Sequence, residues 1–369
     1  MTFTRRSILA AAACTTALIA QPFAAAAQDL PRNVRMVIGS NSTGGDTYQI
    51  SSMIADALAE ELGINIKVDA VGPSEAFKAV GRDSRGTTIM LHHDQSYLAN
   101  LYGVPGNPDP FEGYVVGPTL AINPGNAYLV PKSSPYQTMD DVLQAAADGE
   151  RVRVAIQPGG VSEIGFSAML NAARMNQPGS EENIVPVNTG SQSDKNQAMY
   201  DGLADVINGS IQANEQFTAL PEDDQKAMRF VWITASQEAL EQGPEAGMGN
   251  LSREDMLQFA APATTVPMTE SEPFTFDKEF FLIYNQDMDP AQMETIDTAL
   301  ATIFEGDALR ERMLEAFFIP DYRPMEEGAA HLREKRDSYA EVISSLQSGD
   351  EGGGDDSAEA EGETEAASQ

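Results

Sequence analysis

Residues 34–63 read VRMVIGSNSTGGDTYQISSMIADALAEELG. Val34–Ile38, rich in β-branched residues, predicts a strand. A loop of small and polar residues follows, Gly39–Thr47. Then Ile50, Met53, Ile54, Ala57, Leu58 and Leu62 recur at i, i+3, i+4 spacing, which places one apolar face on a helix from about Tyr48 to Glu61. Gly63 is positioned to end that helix, because glycine enters the left-handed C-cap conformation without a Cβ clash. Strand, small-residue loop and helix together form the unit from which open α/β sheets are built.

The unit recurs. Ile64–Val68 predicts a second strand. Thr87–Leu91 is another, leading into His92-His93-Asp94-Gln95-Ser96 and a short helix to about Leu101. A loop rich in Pro, Gly and Asn spans Gly103–Gly113, and strands are predicted at Val115–Leu120 and Ala127–Val130. Met139–Ala147 reads as a helix with Thr138 as its N-cap. Val152–Ile156 leads into Gln157-Pro158-Gly159-Gly160-Val161-Ser162 and a helix to about Met175. Ile184–Val187 leads through Asn188-Thr189-Gly190-Ser191 into a helix ending near Leu203. Asp205–Asn208, Phe230–Ile233 with the single tryptophan Trp232, and Phe280–Tyr284 are further strands. Helices at about Pro290–Phe304, Ala308–Ala316 and Glu326–Ser345 close the chain.

This alternation predicts an α/β fold with mostly parallel sheets. The chain is too long for one small sheet and lacks the eightfold repeat of a barrel. Two lobes are expected, each a mostly parallel sheet flanked by helices, with a ligand cleft between them. The expected division is lobe 1 at 28–126, lobe 2 at 127–274, and a return segment of lobe 1 at 275–346.

The two ends read differently from this body. Residues 1–27 have the pattern of an export signal: Arg5 and Arg6, an apolar stretch from Ile8 to Ala20 too short to span a bilayer, and Ala25-Ala26-Ala27 at the expected cleavage point. The run Thr4-Arg5-Arg6-Ser7-Ile8-Leu9 leaves both the twin-arginine and the general secretory route open. Cleavage would discard Cys14, the one cysteine, so no disulfide is expected. No other stretch has the length and apolarity of a membrane span, so a mature protein in the periplasm, not inserted in the membrane, is expected. Residues 347–369 are mostly glycine, acidic residues, alanine and serine, and are expected to form a disordered tail. The formal charge of −33 repels nucleic acid and anionic lipid, which excludes both as partners. It also suits solubility at high salt.

In open α/β sheets, ligands bind at the carboxyl ends of strands, where loops enter helices. The loops there supply glycine for close backbone approach and hydroxyls as donors. Candidate ligand contacts are Ser42, Thr43, Gly44, Gly45, Asp46 and Thr47 in the first loop, and Gly160 and Ser162 in the second. Thr189, Gly190 and Ser191 in the third, and Asn208, join them. Each loop opens a helix whose first N–H groups are unpaired, a seat for a carboxylate that needs no basic side chain. One carboxylate is expected at the helix starting near Thr47, and a second acceptor group at Ser162 and the Thr189–Ser191 loop. His92, His93 and Gln95 are further candidates, and His93 or Gln95 would read the rest.

No Gly-Lys-Ser/Thr P-loop or dinucleotide fingerprint occupies these turns, so no cofactor is expected. Of the three histidines, His331 lies in a charged helix and is expected to be solvated. His92 and His93 lack further ligands at metal-binding spacing, and no Gly-x-Ser-x-Gly elbow is present. No catalytic residue and no metal site are therefore expected.

Four stretches, in order, carry a resemblance. They are Val34–Ile38 with Gly44-Gly45-Asp46-Thr47; Gly86-Thr87-Thr88-Ile89-Met90-Leu91; Arg153-Val154-Ala155-Ile156 with Gly159-Gly160-Val161-Ser162; and Val187-Asn188-Thr189-Gly190-Ser191 followed by Gly202-Leu203-Ala204-Asp205-Val206. Together they resemble the solute receptors of tripartite tricarboxylate transporters, the Bug-type periplasmic binding proteins, over Val34 to about Ser345. The resemblance implies a two-lobed protein that closes around a small carboxylate, held by hydroxyls, backbone amides and waters, and delivers it to a membrane permease. Tyr48 stands where that family has an aspartate, Ser40-Asn41-Ser42 where it has prolines, and Thr189 where it has a lysine. His92-His93-Asp94 replaces its Gly, Thr and Ser. These departures bear on the identity of the ligand. Two other readings stay open: a receptor that reports ligand to a membrane signalling protein, and a secreted hydrolase using His92 and His93.

Overall fold

A computed structural model describes residues 30–351. The signal segment with Cys14 and the chain from residue 352 onward lie outside the described residues. Strand β1 (Asn33–Ile38) pairs in parallel with β2 (Asn65–Ala70) on one side and β3 (Thr88–His93) on the other. Its side chains alternate between two cores: Val34, Met36 and Ile38 enter one, Val37 the other. Helix α1 (Asp46–Leu62) covers the first through Ile50, Ile54, Ala55 and Leu58, and stops at Gly63, whose φ is 64°. Truncating a buried leucine such as Leu58 to alanine costs about 2–5 kcal/mol. Helix α2 (Pro73–Gly81), absent from the sequence expectation, covers the second core with Ala76, Phe77 and Val80.

The first sheet has the order β11-β4-β10-β3-β1-β2, where β4 is Tyr114–Asn123, β10 is Lys278–Asn285 and β11 is Ile319–Arg323. Helices α3 (Gln95–Leu101) and α4 (Pro110–Gly113) precede β4. The second sheet has the order β7-β6-β8-β5-β9. Its strands are β5 (Ala127–Pro131), β6 (Val152–Ile156), β7 (Ile184–Asn188), β8 (Val206–Gly209) and β9 (Met228–Ile233). Helices α5 (Met139–Ala147), α6 (Val161–Asn176), α7 (Gln192–Tyr200) and α8 (Ile211–Thr218) belong to this lobe, with the short α9 (Gln237–Glu241) and α10 (Arg253–Leu257) after β9. Thr138 caps α5 as expected, in a reciprocal capping box with Asp141.

The two-lobed α/β plan is therefore present, but the sheets are mixed rather than mostly parallel. β10 runs antiparallel to both β3 and β4, and β11 antiparallel to β4. In the second sheet only β5 is reversed, pairing antiparallel with β8 and β9. The physical reason lies in the crossings. β5 and β10 are the first strands after the chain passes from one lobe into the other. A chain arriving from the cleft enters at the carboxyl ends of the parallel strands and must run against them.

The crossings are tied together at Thr234. Its backbone N–H donates to Asn126 O, its hydroxyl accepts from Asn126 N, and the same hydroxyl donates to Phe276 O at 3.0 Å. Gly125, at φ 62°, passes so close that a Cβ there would lie 2.3 Å from Ala235 N, so only glycine fits.

β11 was not expected because Pro320 and Asp321 interrupt its apolar pattern; it is an edge strand, where proline is tolerated. Helices α11 (Pro290–Glu305) and α12 (Asp307–Glu315) pack on the first lobe. The last helix, α13 (Met325–Glu351), runs past the expected end at Ser345. It lies against β4 and α3 and also meets α6 of the second lobe. One apolar cluster accordingly runs through both lobes, from Phe77 and Tyr97 to Phe166 and Trp232, with Leu332 and Ile343 of α13 joining it. No described helix is long and apolar enough to cross a membrane.

Candidate functional site

In the first lobe, the cleft ends of β1, β3, β4 and the reversed β10 meet. Asp46, at the start of α1, forms an ion pair with Lys278, the first residue of β10. Asn123, the last residue of β4 and the register partner of Lys278, donates to the same carboxylate oxygen of Asp46 at 2.7 Å. The Lys278 side chain is 6% exposed and that of Asp46 13% exposed, so the pair is shielded from water. Burial works to raise the Asp46 carboxyl. The Lys278 ammonium, with the Thr47 N–H and the Asn123 amide, outweighs burial and holds it below its ordinary value.

His92 and His93 close this side. Both imidazoles are buried, with ring centroids 4.8 Å apart at a steep angle. Neither nitrogen of His92 has a hydrogen-bond partner. Burial first, then the Lys278 charge, pushes His92 down to about 3. His93 Nδ1 accepts from Gln95 N at 3.2 Å, and burial, His92, Lys278 and Lys335 drive its protonation well below the usual range. Both rings are therefore neutral at physiological pH.

The second lobe contributes a residue the sequence reading missed. Lys195, in α7, is 5% exposed. Its Nζ donates to Asn208 Oδ1 at 2.9 Å, and no carboxylate pairs with it among the described residues. Asn208 Oδ1 also accepts from the Ser162 hydroxyl at 2.7 Å, Asn208 Nδ2 donates to Ser162 O, and Ser162 Oγ accepts from Gln157 N. Ser162 and Asn208 thus form the mount of the lysine. The charges Lys195 feels come from the opposite lobe. Burial pushes its pKa down to about 7, Lys278 adds to the fall, and Asp46 opposes it.

Sequence signals for both lysines exist. Lys195, Ala198 and Met199 are the buried residues of α7, at i, i+3, i+4 spacing, so the lysine sits where an apolar residue is expected. The strand expected at Phe280–Tyr284 stops short of Lys278 and Glu279, whereas β10 includes both and all eight of its residues are buried.

The expected contacts fall into four groups, besides Gly45, which is half-buried at the N-cap of α1. Asp46, Thr47, His92, His93, Ser162 and Asn208 are brought together around the two lysines. The N–H of Thr47, expected to seat a ligand carboxylate, is taken by Asp46 Oδ1 at 2.7 Å. Gln95 and Gly160 form a bridge between the lobes: Gln95 Nε2 donates to Gly159 O at 2.7 Å and Oε1 accepts from Val161 N at 3.2 Å. A Cβ on Gly160 would lie 1.8 Å from Gln95 Oε1, so this approach requires glycine. Ser42, Thr43 and Gly44 are exposed, with Ser42 turned onto its own loop. Thr189, Gly190 and Ser191 stand at the rim. Thr189 Oγ1 donates to Ile156 O, and Ser191 caps α7.

A second buried charge network lies below, between β10 and α13. Lys335 Nζ is 2.8 Å from both Asp94 Oδ1 and Glu279 Oε1 and donates to Asp277 O. Tyr97 donates to Asp94, and His331 Nε2 is 2.8 Å from Glu279 Oε2. His331 is thus a half-buried hydrogen-bond partner of Glu279 rather than a solvated residue. Burial would raise Glu279, but Lys335 and His331 hold it at about 2. Among the described residues no His/Cys/Asp/Glu group is arranged to hold a metal, and neither His92 nor His93 contacts a serine or a carboxylate.

Neither a family model nor a curated protein sequence matches the chain. Solved structures do match. The periplasmic binding protein BugD superposes with a TM-score of 0.64 at 12% identity, over 86% of this chain and 98% of that one. MatC from Rhodopseudomonas palustris with bound malate gives 0.61 at 18% identity, over 85% and 99%. R. palustris Rpa4515 with adipate gives 0.67 at 15%, over 86% and 97%. The fold is that of the two-lobed periplasmic binding proteins.

Proposed function

We propose that the chain is an exported, periplasmic solute-binding receptor that captures a small organic acid between its lobes without chemistry on it. It hands that acid to a tripartite tricarboxylate-type membrane transporter. The observation that carries the reading is Lys195, a buried lysine amine whose one polar side-chain partner among the described residues is an amide oxygen. An uncompensated buried cation is costly unless an anion meets it, and a carboxylate delivered by solvent is the simplest one. Support also comes from the shared fold, from malate and adipate in two of the matching structures, and from the export pattern around Arg5 and Arg6.

This reading also answers how so acidic a chain would hold an anion. The negative surface faces solvent, while the grip is a local positive charge where the dielectric is low.

Isothermal titration of the mature chain against acetate, lactate, benzoate, succinate, malate, adipate and citrate tests the proposal. Saturable binding of at least one acid is expected, weakened at least about tenfold in Lys195→Gln, the loss of a charge-assisted hydrogen bond. No heat from any of the acids, with protein folded by circular dichroism, would sink the carboxylate receptor.

A further inference from the structure

Resting on that reading, we infer that the cleft is matched to a ligand carrying a single carboxylate and a neutral hydrogen-bond donor, and discriminates against diacids. The argument is a count of charges. Lys278 and Asp46 neutralise each other in direct contact within the first lobe. His92 has no hydrogen-bond partner at either nitrogen, and His93 Nδ1 accepts a backbone hydrogen bond, so neither ring offers a positive charge. The carboxylates of Asp94 and Glu279 are held by Lys335 and His331 on the far side of β10. Among the described residues of the cleft one charge remains, that of protonated Lys195. It matches one carboxylate. A second carboxylate buried beside it between the lobes would lack a counter-charge, a costly arrangement.

The unpartnered polar atoms identify the other end of the ligand. Asn123 is fully buried; its Nδ2 is committed to Asp46 and its Oδ1 has no partner. A carbonyl oxygen calls for a donor such as a hydroxyl, and it repels a carboxylate, which at neutral pH has only acceptors. Lys278 has N–H groups to spare, but its single charge is already balanced by Asp46, so a second carboxylate there would leave the buried cluster with an excess negative charge. The neutral His92 ring, unpartnered at both nitrogens, adds one N–H and one acceptor without charge, so the first lobe suits an uncharged group that both donates and accepts, such as a hydroxyl, and the second lobe an anion.

The test pairs each diacid with the monoacid of the same carbon chain in which a terminal hydroxyl replaces one carboxylate. Succinate and adipate are each compared with their ω-hydroxy monoacids by titration calorimetry. Any acid of the wider panel that binds is compared with its own partner having one carboxylate more or fewer. The expected result is at least about tenfold tighter binding of the monoacid, equivalent to about 1.4 kcal/mol. A diacid that binds as tightly as its monoacid, or more tightly, overturns the inference and leaves the receptor standing. Absence of binding by every acid overturns the receptor itself.

Asp46→Asn gives a second arm, because it frees the Lys278 charge while preserving shape. In the folded variant the preference should move toward the diacid by about tenfold or more. An unchanged ratio there shows that the charge count does not set specificity. If the variant fails to fold, the wild-type ratio decides alone.

Discussion

Two groups of buried charges lie close together in the first lobe and across the cleft, and they differ in one respect. Beneath α13, Lys335 touches both Asp94 and Glu279, and His331 lies 2.8 Å from Glu279, so this lysine has its counter-charges within the chain. In the cleft, Asp46 and Lys278 are paired but Lys195 is not. Burial alone does not distinguish the two lysines, since the Lys195 residue is 5% exposed and the Lys335 side chain 13%. What differs is where the counter-charge comes from. A network closed within the chain holds the fold together, whereas the open one is, on the proposed function, completed by the carboxylate of the bound acid.

The largest effect that tests this contrast is on stability. Lys335→Met leaves Asp94 and Glu279 buried without their cation and should destabilise the protein by about 3–5 kcal/mol, read from urea unfolding followed through Trp232. Lys195→Met should do the reverse. Its unliganded stability stays within about 1 kcal/mol of the parent or rises, because a solitary buried ammonium is replaced by an apolar group of similar length. Its carboxylate binding weakens by about 2–3 kcal/mol in calorimetry. Equal loss of stability in both variants would erase the distinction between the two networks.

A third effect is on pH. The free Lys195 ammonium titrates at about 7, with Lys278 and Asp46 facing it, and a carboxylate seated on it raises that value. Sign follows directly: below pH 7 the lysine is already charged and affinity is flat. Above pH 7 binding must take up a proton, and Kd rises by up to about tenfold per unit. Titrations at pH 8 in buffers of different ionisation enthalpy should register that proton; a flat affinity from pH 6 to pH 9 would remove Lys195 from the site.

Smaller effects probe the mount and the bridge. Gln95→Ala removes both hydrogen bonds across the cleft and should weaken binding by about 1 kcal/mol, mainly through faster release in stopped-flow displacement. Ser162→Ala should cost about 1 kcal/mol or slightly less, because the serine positions Asn208 rather than touching the anion in this arrangement. A Ser162→Ala loss as large as that of Lys195→Met would make the serine a direct ligand contact.

Much of this molecule is legible in its sequence. The strand, loop and helix of residues 34–63 fold as their periodicity dictates, ending at Gly63 with positive φ. The alternation of strands and helices is enough for two α/β lobes, because periods of 2 and 3.6 residues are local properties of the chain. The loops at Ser162, Asn208, His92 and Asp46 could be picked out because helix N-termini follow strands there. The pattern does not say which strands are reversed, since direction is decided by the side from which a crossing chain arrives. Nor does it reveal β11, whose proline is acceptable only at an edge.

The chemistry of the cleft was decided by the tertiary structure. Lys195 and Asp46 are far apart in the chain, and a lysine on a helix in a sequence this acidic reads as one more solvated charge. Only when α7 packs against β8 does its ammonium come to rest on Asn208, and only when β10 returns from the other lobe does Lys278 meet Asp46. The sequence by itself determined which segments become strands and helices and that small polar loops line the strand ends. Which charges cancel and which one lacks a counter-charge depends on pairwise distances that exist only in the folded chain.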